Sequence, residues 1–376
     1  MLLDASAPNA TNTALQQLQD QVRAANDAAA PVRVVGGDSK AFYGQAQTKP
    51  AMPISTRAYA GIVAYEPTEL VVTARAGTLL STIEAELAAQ NQMLSFDPPR
   101  FSDATSIGGV IATGLSGPRR VSAGAARDFV LGASLINANG DELHFGGQVM
   151  KNVAGYDVSR LLCGSLGALG VISQVSLKVL PIPPSDASLQ TACGQDQAID
   201  WLNRWAGQPL PIVASHWLNN TLTIRLSGAH AAVAAAKTKL HSEANCQRID
   251  DGVALALWAQ LRDQQHSFFS APAVLRLSVP SNTAAIAAPN GADQMIEWGG
   301  ALRWLAFKDI TEAQQNLSLL QQQAKVLGGS AMLYRQQGGS SIFAPLDAMT
   351  LKLHERLKAE FDPRGIFNPG RLHAAL

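Results

Sequence analysis

The sequence predicts an α+β protein of two domains, and three observations predict it. Short β-branched runs alternate with amphipathic helical stretches through the first half. The Asn139-Gly140 pair lies between two strand-like runs and is a hairpin signal, so the pairing there is antiparallel. Beyond the stiff stretch Pro181-Ile182-Pro183-Pro184-Ser185 the glycine density falls and the pattern changes, which marks a boundary. A chain of 376 residues has ample material for two cores. The expected division is 1–183, a smaller α+β unit at 184–345, and a segment 346–376 that returns to the first domain.

Taken in order, Asn12 or Thr13 can cap a helix to about Asn26, with Leu15, Leu18 and Val22 on one face. Val32 to Val35 is a short strand that runs into Gly36-Gly37-Asp38-Ser39-Lys40. That loop of small residues, polar side chains and one cation can offer successive N–H groups to a phosphate. It is not a Walker loop, and no GxGxxG follows a strand, which argues against a Rossmann site. Gly61 to Tyr65 and Leu70 to Arg75 pair around Glu66-Pro67-Thr68-Glu69. Gly77-Thr78 then opens a helix with Leu79, Leu80, Ile83 and Leu87 at helical spacing. Asp97-Pro98-Pro99 is stiff and extended, and it leads to Thr105-Ser106-Ile107-Gly108-Gly109. The hydroxyls there suit diphosphate oxygens and equally suit a turn capping a helix from Val110 to Thr113. Arg119-Arg120 reads as a solvated pair. Phe129 to Ala138 and Glu142 to Phe145 form the hairpin, and Gly164, Gly167 and Gly170 stand three apart ahead of Val171, Ile172, Val175 and Val179.

Glycine lets a ligand touch main-chain groups, because it has no Cβ and tolerates positive φ. Clusters at Gly36-Gly37, Gly108-Gly109, Gly114 with Gly117, and Gly164 to Gly170 together suggest a chain that wraps a long ligand. A Cβ at Gly167 is expected to intrude on that ligand rather than on the core. The second domain reads as helices at Ile199–Trp205, Ala231–Leu240, Ala254–Phe269 and Thr311–Leu327. Its strands are Ile212–Leu218 and Thr221–Leu226 across Asn219-Asn220, Val274–Val279, a pair over Trp298–Phe307 broken at Gly299-Gly300, and Ser330–Arg335: a βαβ-like cap. All six Trp lie there and read chiefly as core anchors, with a pocket or partner surface as the alternative. A helix from Asp347 to Glu360 leads into the terminal Asn368-Pro369-Gly370-Arg371.

A formal net charge of zero speaks against nucleic acid and anionic membrane partners and favours association with another protein. Cys163, Cys193 and Cys246 form no CxxC, which suits reduced thiols in a cytoplasmic protein and excludes an iron–sulfur cluster of the usual kind. The N-terminal stretch has no basic region followed by an apolar one, and no run is long enough to insert in a membrane. The seven histidines are scattered, none at metal-ligand spacing.

The segments GGDSK, AGTLLSTIEAELAAQNQMLSFDPP, ATSIGGVIATGLSG, RDFVLGASLINANGDELHFGG and MKNVAGYDVSRLLCGSLGALGVISQVSLKVLPIP, in that order, resemble the PCMH-type FAD-binding domain of the vanillyl-alcohol-oxidase superfamily. Within it they resemble the FAD-binding subunits of bacterial glycolate oxidases. The tail FDPRGIFNPGR continues the resemblance. It implies a two-subdomain FAD-binding domain with a smaller cap, and FAD extended between the subdomains. Gly36, Gly37, Asp38, Ser39 and Lys40 would line one pyrophosphate loop and Thr105, Ser106, Gly108 and Gly109 the second, with Pro98, Gly114 and Gly117 counted among the cofactor-binding residues. Gly164, Gly167, Gly170 and Ile172 would follow the dinucleotide, and Asn368 and Arg371 would return near the flavin. Lys151, Gly155 and Tyr156 complete the cofactor set. Arg335, Arg371 and Lys151 are the cations the resemblance brings near a substrate carboxylate, and no base is evident. Covalent members carry a His in the first glycine loop; this loop has none, so FAD is expected noncovalently. The implied activity is oxidation of glycolate, a small 2-hydroxy acid, beside a catalytic FAD-containing subunit and an iron–sulfur subunit that accepts the electrons. The expected location is cytoplasmic, with any contact to the inner membrane made through the partners. A noncatalytic scaffold and a self-sufficient oxidase of a hydroxy acid or alcohol remain as alternative readings.

Overall fold

The computed structural model describes residues 7–147 and 157–376. Two antiparallel sheets carry the chain, one on each side of the Pro181–Ser185 stretch. The five-stranded sheet has the order Ile62–Glu66, Val71–Arg75, Val171–Lys178, Val130–Ile136, Glu142–Gly146. Its central strand, Val171–Lys178, is buried on both faces at 171–173 and 175–177, and its two buried serines find partners, Ser173 on Glu142 and Ser176 on Thr73. Leu80, Ile83 and Leu87 of the helix Leu80–Ala89 and Val110 and Ile111 of the helix Ile107–Thr113 fill the core over it.

A separate parallel pair, Val32–Val35 with Met52–Ser55, packs under the helix Ala7–Asp27, whose Leu18, Val22 and Ala25 are buried. The C-terminal segment closes this layer. The Val32 N–H donates to the Ile366 carbonyl, the Asn368 N–H donates to the Val32 carbonyl, and Phe367 is fully buried.

The eight-stranded sheet runs Gln247–Arg248, Ser185–Ala192, Thr221–Gly228, Ile212–Leu218, Asp293–Glu297, Leu302–Phe307, Ala273–Ser278, Ser330–Gln336. Leu275, Leu305 and Leu333 on one of its faces pack on Leu317 and Leu320 of the helix Ile310–Val326. Its opposite face meets the first sheet's side of the molecule through Phe42, Tyr43, Phe101 and Leu115.

Several expectations change here. The cap is antiparallel at every strand pair rather than βαβ-like. Ser185, read as the last residue of the stiff stretch, instead opens a full strand, Ser185–Ala192, that pairs with Thr221–Gly228 and was not expected. The helix expected to reach Phe269 stops at Arg262, where Gln264 at φ +53 turns the chain, and a 3-10 turn follows at Ser267–Ser270. Arg119 is not solvated: it is 6 % exposed and bonds Asp186, because it lies in the seam between the sheets. Trp205, Trp217, Trp258, Trp298 and Trp304 are buried, so these five anchor cores, as the main reading held.

Candidate functional site

The strand Val32–Val35 delivers the loop 36–40 to one wall of a groove, and the helix Ile107–Thr113 and residues 166–172 deliver the other. Asp38 sits at φ +56, in the left-handed region, where the loop turns; alternation of this kind is how successive N–H groups come to form an anion-binding concavity. Among the described residues, the N–H groups of Gly37, Asp38, Ser39 and Lys40 donate to no protein acceptor. A run of unclaimed donors is a ready anion cradle, since a buried or half-buried N–H costs free energy when unpaired.

The glycines on the two walls let the walls touch. A Cβ on Gly36 would stand 2.1 Å from the Ser106 Oγ, one on Gly37 1.5 Å from the Ala104 carbonyl, and one on Gly108 2.6 Å from the Ala76 Cβ. Only a chain bare at these positions brings the two loops this close. Gly109, by contrast, faces Ser106 Oγ at 3.4 Å and is otherwise open. Ser106 caps the helix by accepting from the Gly109 N–H, and the hydroxyls of Ser39 and Thr105 are 3.0 Å apart. Both readings of these hydroxyls are therefore present at one place, a cap and a polar rim.

Lys40 is 7 % exposed and makes no ion pair among the described residues; burial, against the weaker pull of Asp263, brings its amine down to about 8. Asn368 closes the groove from the C-terminal segment: its Oδ1 accepts from Val34 N at 2.9 Å and its Nδ2 donates to the Leu166 carbonyl. Arg371 donates to the carbonyls of Lys40, Ala41 and Tyr43, so it staples the loop and is not a free cation. Burial first, and the charge of Arg33 second, hold it below the usual guanidinium range.

The groove gathers Gly36, Gly37, Asp38, Ser39, Lys40, Ser106, Gly108, Gly109, Gly167, Gly170, Ile172, Asn368 and Arg371, with Thr105 behind Ser39. It does not gather Pro98, Gly114, Gly117 or Gly164. Gly114 is the left-handed C-cap of the helix, a Cβ on Gly117 would strike the Asp97 carbonyl, and Gly164 faces a separate cavity beside Cys163 and His354. Lys151, Gly155 and Tyr156 lie outside the described residues. The expectation for Gly167 needs correcting: its Cβ would meet the Asn368 Nδ2 at 2.7 Å, at φ +70, so the intrusion is on protein. Thr56, Ala112, Thr113 and Leu166 also line the groove and were not singled out from sequence; Leu166 at φ +52 is held by the same turn as its glycine neighbours. Arg335 stacks 4.4 Å over Phe42 and donates to Gln264 on the far side of that ring cluster.

Whether these residues suit a flavin dinucleotide is tested by the donors themselves. An unpaired N–H run, a desolvated lysine and bare backbone walls are what a diphosphate with a flat ring system at each end requires. Among the described residues no group of His, Cys, Asp and Glu could hold a metal ion, and no helix is long and apolar enough to cross a membrane.

Comparison with known proteins agrees with the geometry. The FAD binding domain family matches residues 10–146. The chain is 44% identical to the glycolate oxidase subunit GlcE of Escherichia coli over 362 residues, 96% of this chain and 98% of that one. It is 29% identical to a D-lactate dehydrogenase of Anaerostipes hadrus over 47% of this chain and 37% of that protein. It is 33% identical to the glycolate oxidase subunit GlcD of Bacillus subtilis over 34% of this chain and 27% of that one. An alkyldihydroxyacetonephosphate synthase structure shares the fold, with TM-score 0.67 at 14% identity, covering 94% of this chain and 74% of that one.

Proposed function

Because the chain belongs to the family of the glycolate oxidase subunit GlcE, we propose that it is the FAD-binding subunit of a glycolate oxidase complex, working beside a second flavoprotein subunit and an iron–sulfur subunit. It is an FAD-dependent oxidoreductase carrying an FAD-binding domain. FAD, when bound, supplies a two-electron acceptor for the oxidation of a 2-hydroxy acid to a 2-oxo acid. The protein's share is position and field. The N–H groups of 37–40 and the Lys40 amine would take up diphosphate charge, the bared backbone at 167–172 would line the dinucleotide's path, and Asn368 ties the two walls together.

The observation that carries this reading is the similarity to GlcE along 96% of the chain, joined to a groove whose donors are unclaimed. The two separate sheets support the division at 183/184, with 346–376 returning to the first sheet's side. Noncovalent attachment is supported by a groove lining in which the described residues include no His, Cys or Tyr to form a flavin bond. Acid precipitation of the purified chain should release all flavin to the supernatant; flavin retained in the pellet overturns noncovalent binding. Assay with glycolate and an artificial acceptor then separates the roles. A yellow chain that turns over only when its partner subunits are added supports the proposal. Turnover by the chain alone makes it a self-sufficient oxidase, and a colourless chain makes it a scaffold.

A further inference from the structure

Two arginines converge on one indole in the seam between the sheets. The Arg120 guanidinium, at the start of the short helix Arg120–Ala123, stands 4.4 Å from the Trp298 ring centre. The Arg276 guanidinium, on the strand Ala273–Ser278, stands 5.2 Å from the same ring and 5.9 Å from that of Trp304. Arg119 and Arg225 are neutralised on Asp186, Arg262 on Asp263 and Arg100 on Glu84, and Arg335 is held by Gln264. Among the described residues, Arg120 and Arg276 make neither an ion pair nor a hydrogen bond. Cation–π contact orients them but leaves their ten N–H donors without an acceptor among the described residues, and their charges only partly answered, by Asp128 for Arg120 and by Glu297 for Arg276. Burial, then the charge of Arg276, holds Arg120 below the usual guanidinium range.

A second observation points to the same place. Among the described residues the Tyr334 hydroxyl is fully buried beside Gln264 without a well-formed hydrogen bond, and its ring stands 5.0 Å from Trp304 and 5.5 Å from Tyr43. A buried hydroxyl without a well-formed bond is costly and calls for one. The carboxyl that faces Arg276 is Glu297, which is bonded to the Trp304 Nε1 and held up to about 7 by burial, so at neutral pH it answers only part of the charge. Both arginines are half-buried, which leaves the site reachable from solvent.

We propose that Arg120 and Arg276, from opposite sides of the seam, hold the carboxylate of a small organic acid, with the Tyr334 hydroxyl as a further donor. Guanidinium groups take carboxylates through paired, charge-assisted bonds, and the indole and phenol walls suit a small uncharged remainder. That the acid is a 2-hydroxy acid rests on the reading of the chain as a glycolate oxidase subunit; the site itself does not. It also differs from the cations expected from sequence, Arg371 being committed to backbone carbonyls and Arg335 to Gln264.

Isothermal titration of the FAD-loaded full-length chain with glycolate, and separately with inorganic phosphate, tests it. Saturable glycolate binding is expected, weakened at least tenfold by Arg276→Gln and by Arg120→Gln and severalfold by Tyr334→Phe, with no phosphate binding. Removing one of two repelling charges should leave the melting temperature of Arg120→Gln at or above that of the parent, whereas a purely structural stack predicts a fall. If an arginine variant fails to fold, Tyr334→Phe decides, since among the described residues its hydroxyl has only the weak neighbour Gln264 and makes no well-formed hydrogen bond. No saturable glycolate binding, unchanged affinity in the variants, or phosphate bound as tightly as glycolate overturns the carboxylate site. Flavin content measured on the same samples keeps this apart from the larger reading: full flavin without glycolate binding sinks the site alone, and absent flavin sinks the flavoprotein assignment.

Discussion

His216 and Glu297 face each other as cross-strand partners, 6 % and 4 % exposed, and their proton equilibria are displaced in opposite directions. Burial raises Glu297 from 4.5 to about 7, against the Trp304 bond and the Arg276 charge; burial, with the charge of His266 second, lowers His216 from 6.5 to about 3. For Glu297 the raised value means a stabilising contribution present below pH 4.5 and lost as pH rises through 7. For His216 the lowered value means stability lost as pH falls from 6.5 toward 3. Between pH 4.5 and 6.5 both slopes act, each about 1.4 kcal/mol per pH unit, and they cancel. Removing one group unmasks the other. Glu297→Gln keeps an acceptor for Trp304, and relative to the parent it should gain about 3 kcal/mol between pH 4.5 and 6.5. His216→Phe gives up no hydrogen bond, because neither ring nitrogen has a partner, and it should lose the same relative amount over that interval. Reversible urea denaturation of the FAD-free chain in half-unit pH steps reads both differences. If the two residues instead exchange a proton and form an ion pair in the folded chain, folded and unfolded chains carry the same protons between pH 4.5 and 6.5, both differences vanish and the reasoning fails.

Three other outcomes follow from the groove and its support. Asn368→Ala leaves the Val34 N–H and the Leu166 carbonyl unpaired at a buried site and should cost on the order of 2–4 kcal/mol. Asn368→Gly loses the same bonds but relieves a left-handed φ of +43, so it should melt higher than the alanine variant by about 1 kcal/mol. Gly167→Ala should lower the melting temperature even without FAD; an unchanged FAD-free melt with lost flavin binding would restore a ligand-only role for that glycine. Lys358→Met leaves Asp362 buried without its 2.6 Å partner and should destabilise by roughly 3–5 kcal/mol in thermal unfolding, while parent-like melting would show the pair to be dispensable.

Much of the fold was legible because its signals are local. Asn219-Asn220 both adopt left-handed φ, +50 and +56, as a two-residue hairpin turn requires, and the strands on either side fall where that pair puts them. Met52–Ser55 was not legible: four residues holding Pro53, mostly exposed, become a strand only through pairing with Val32–Val35. Arg119 was misread for the same reason, its partner Asp186 lying 67 residues away on the other sheet. The glycine loops were legible as places where backbone is bared. What they bare it to was legible only in part, since at Gly36, Gly37 and Gly108 the space is taken first by the facing loop. The seam with Arg120 and Arg276 left no sequence signal, because its members come from separate elements and share no spacing.

The Asn368 side chain meets the Val34 N–H across 334 residues of chain. At a synthesis rate of about 5–20 residues per second, the first wall of the groove leaves the ribosome on the order of 20–60 s before the residue that completes it. The eight-stranded sheet, drawn from residues between Ser185 and Gln336, emerges wholly within that interval. A nascent chain of this protein therefore has its second sheet available before the groove has its last wall. Flavin capture is in that sense a completion signal: a chain released short of Asn368 can fold much of its mass and still be recognisable by its lack of colour.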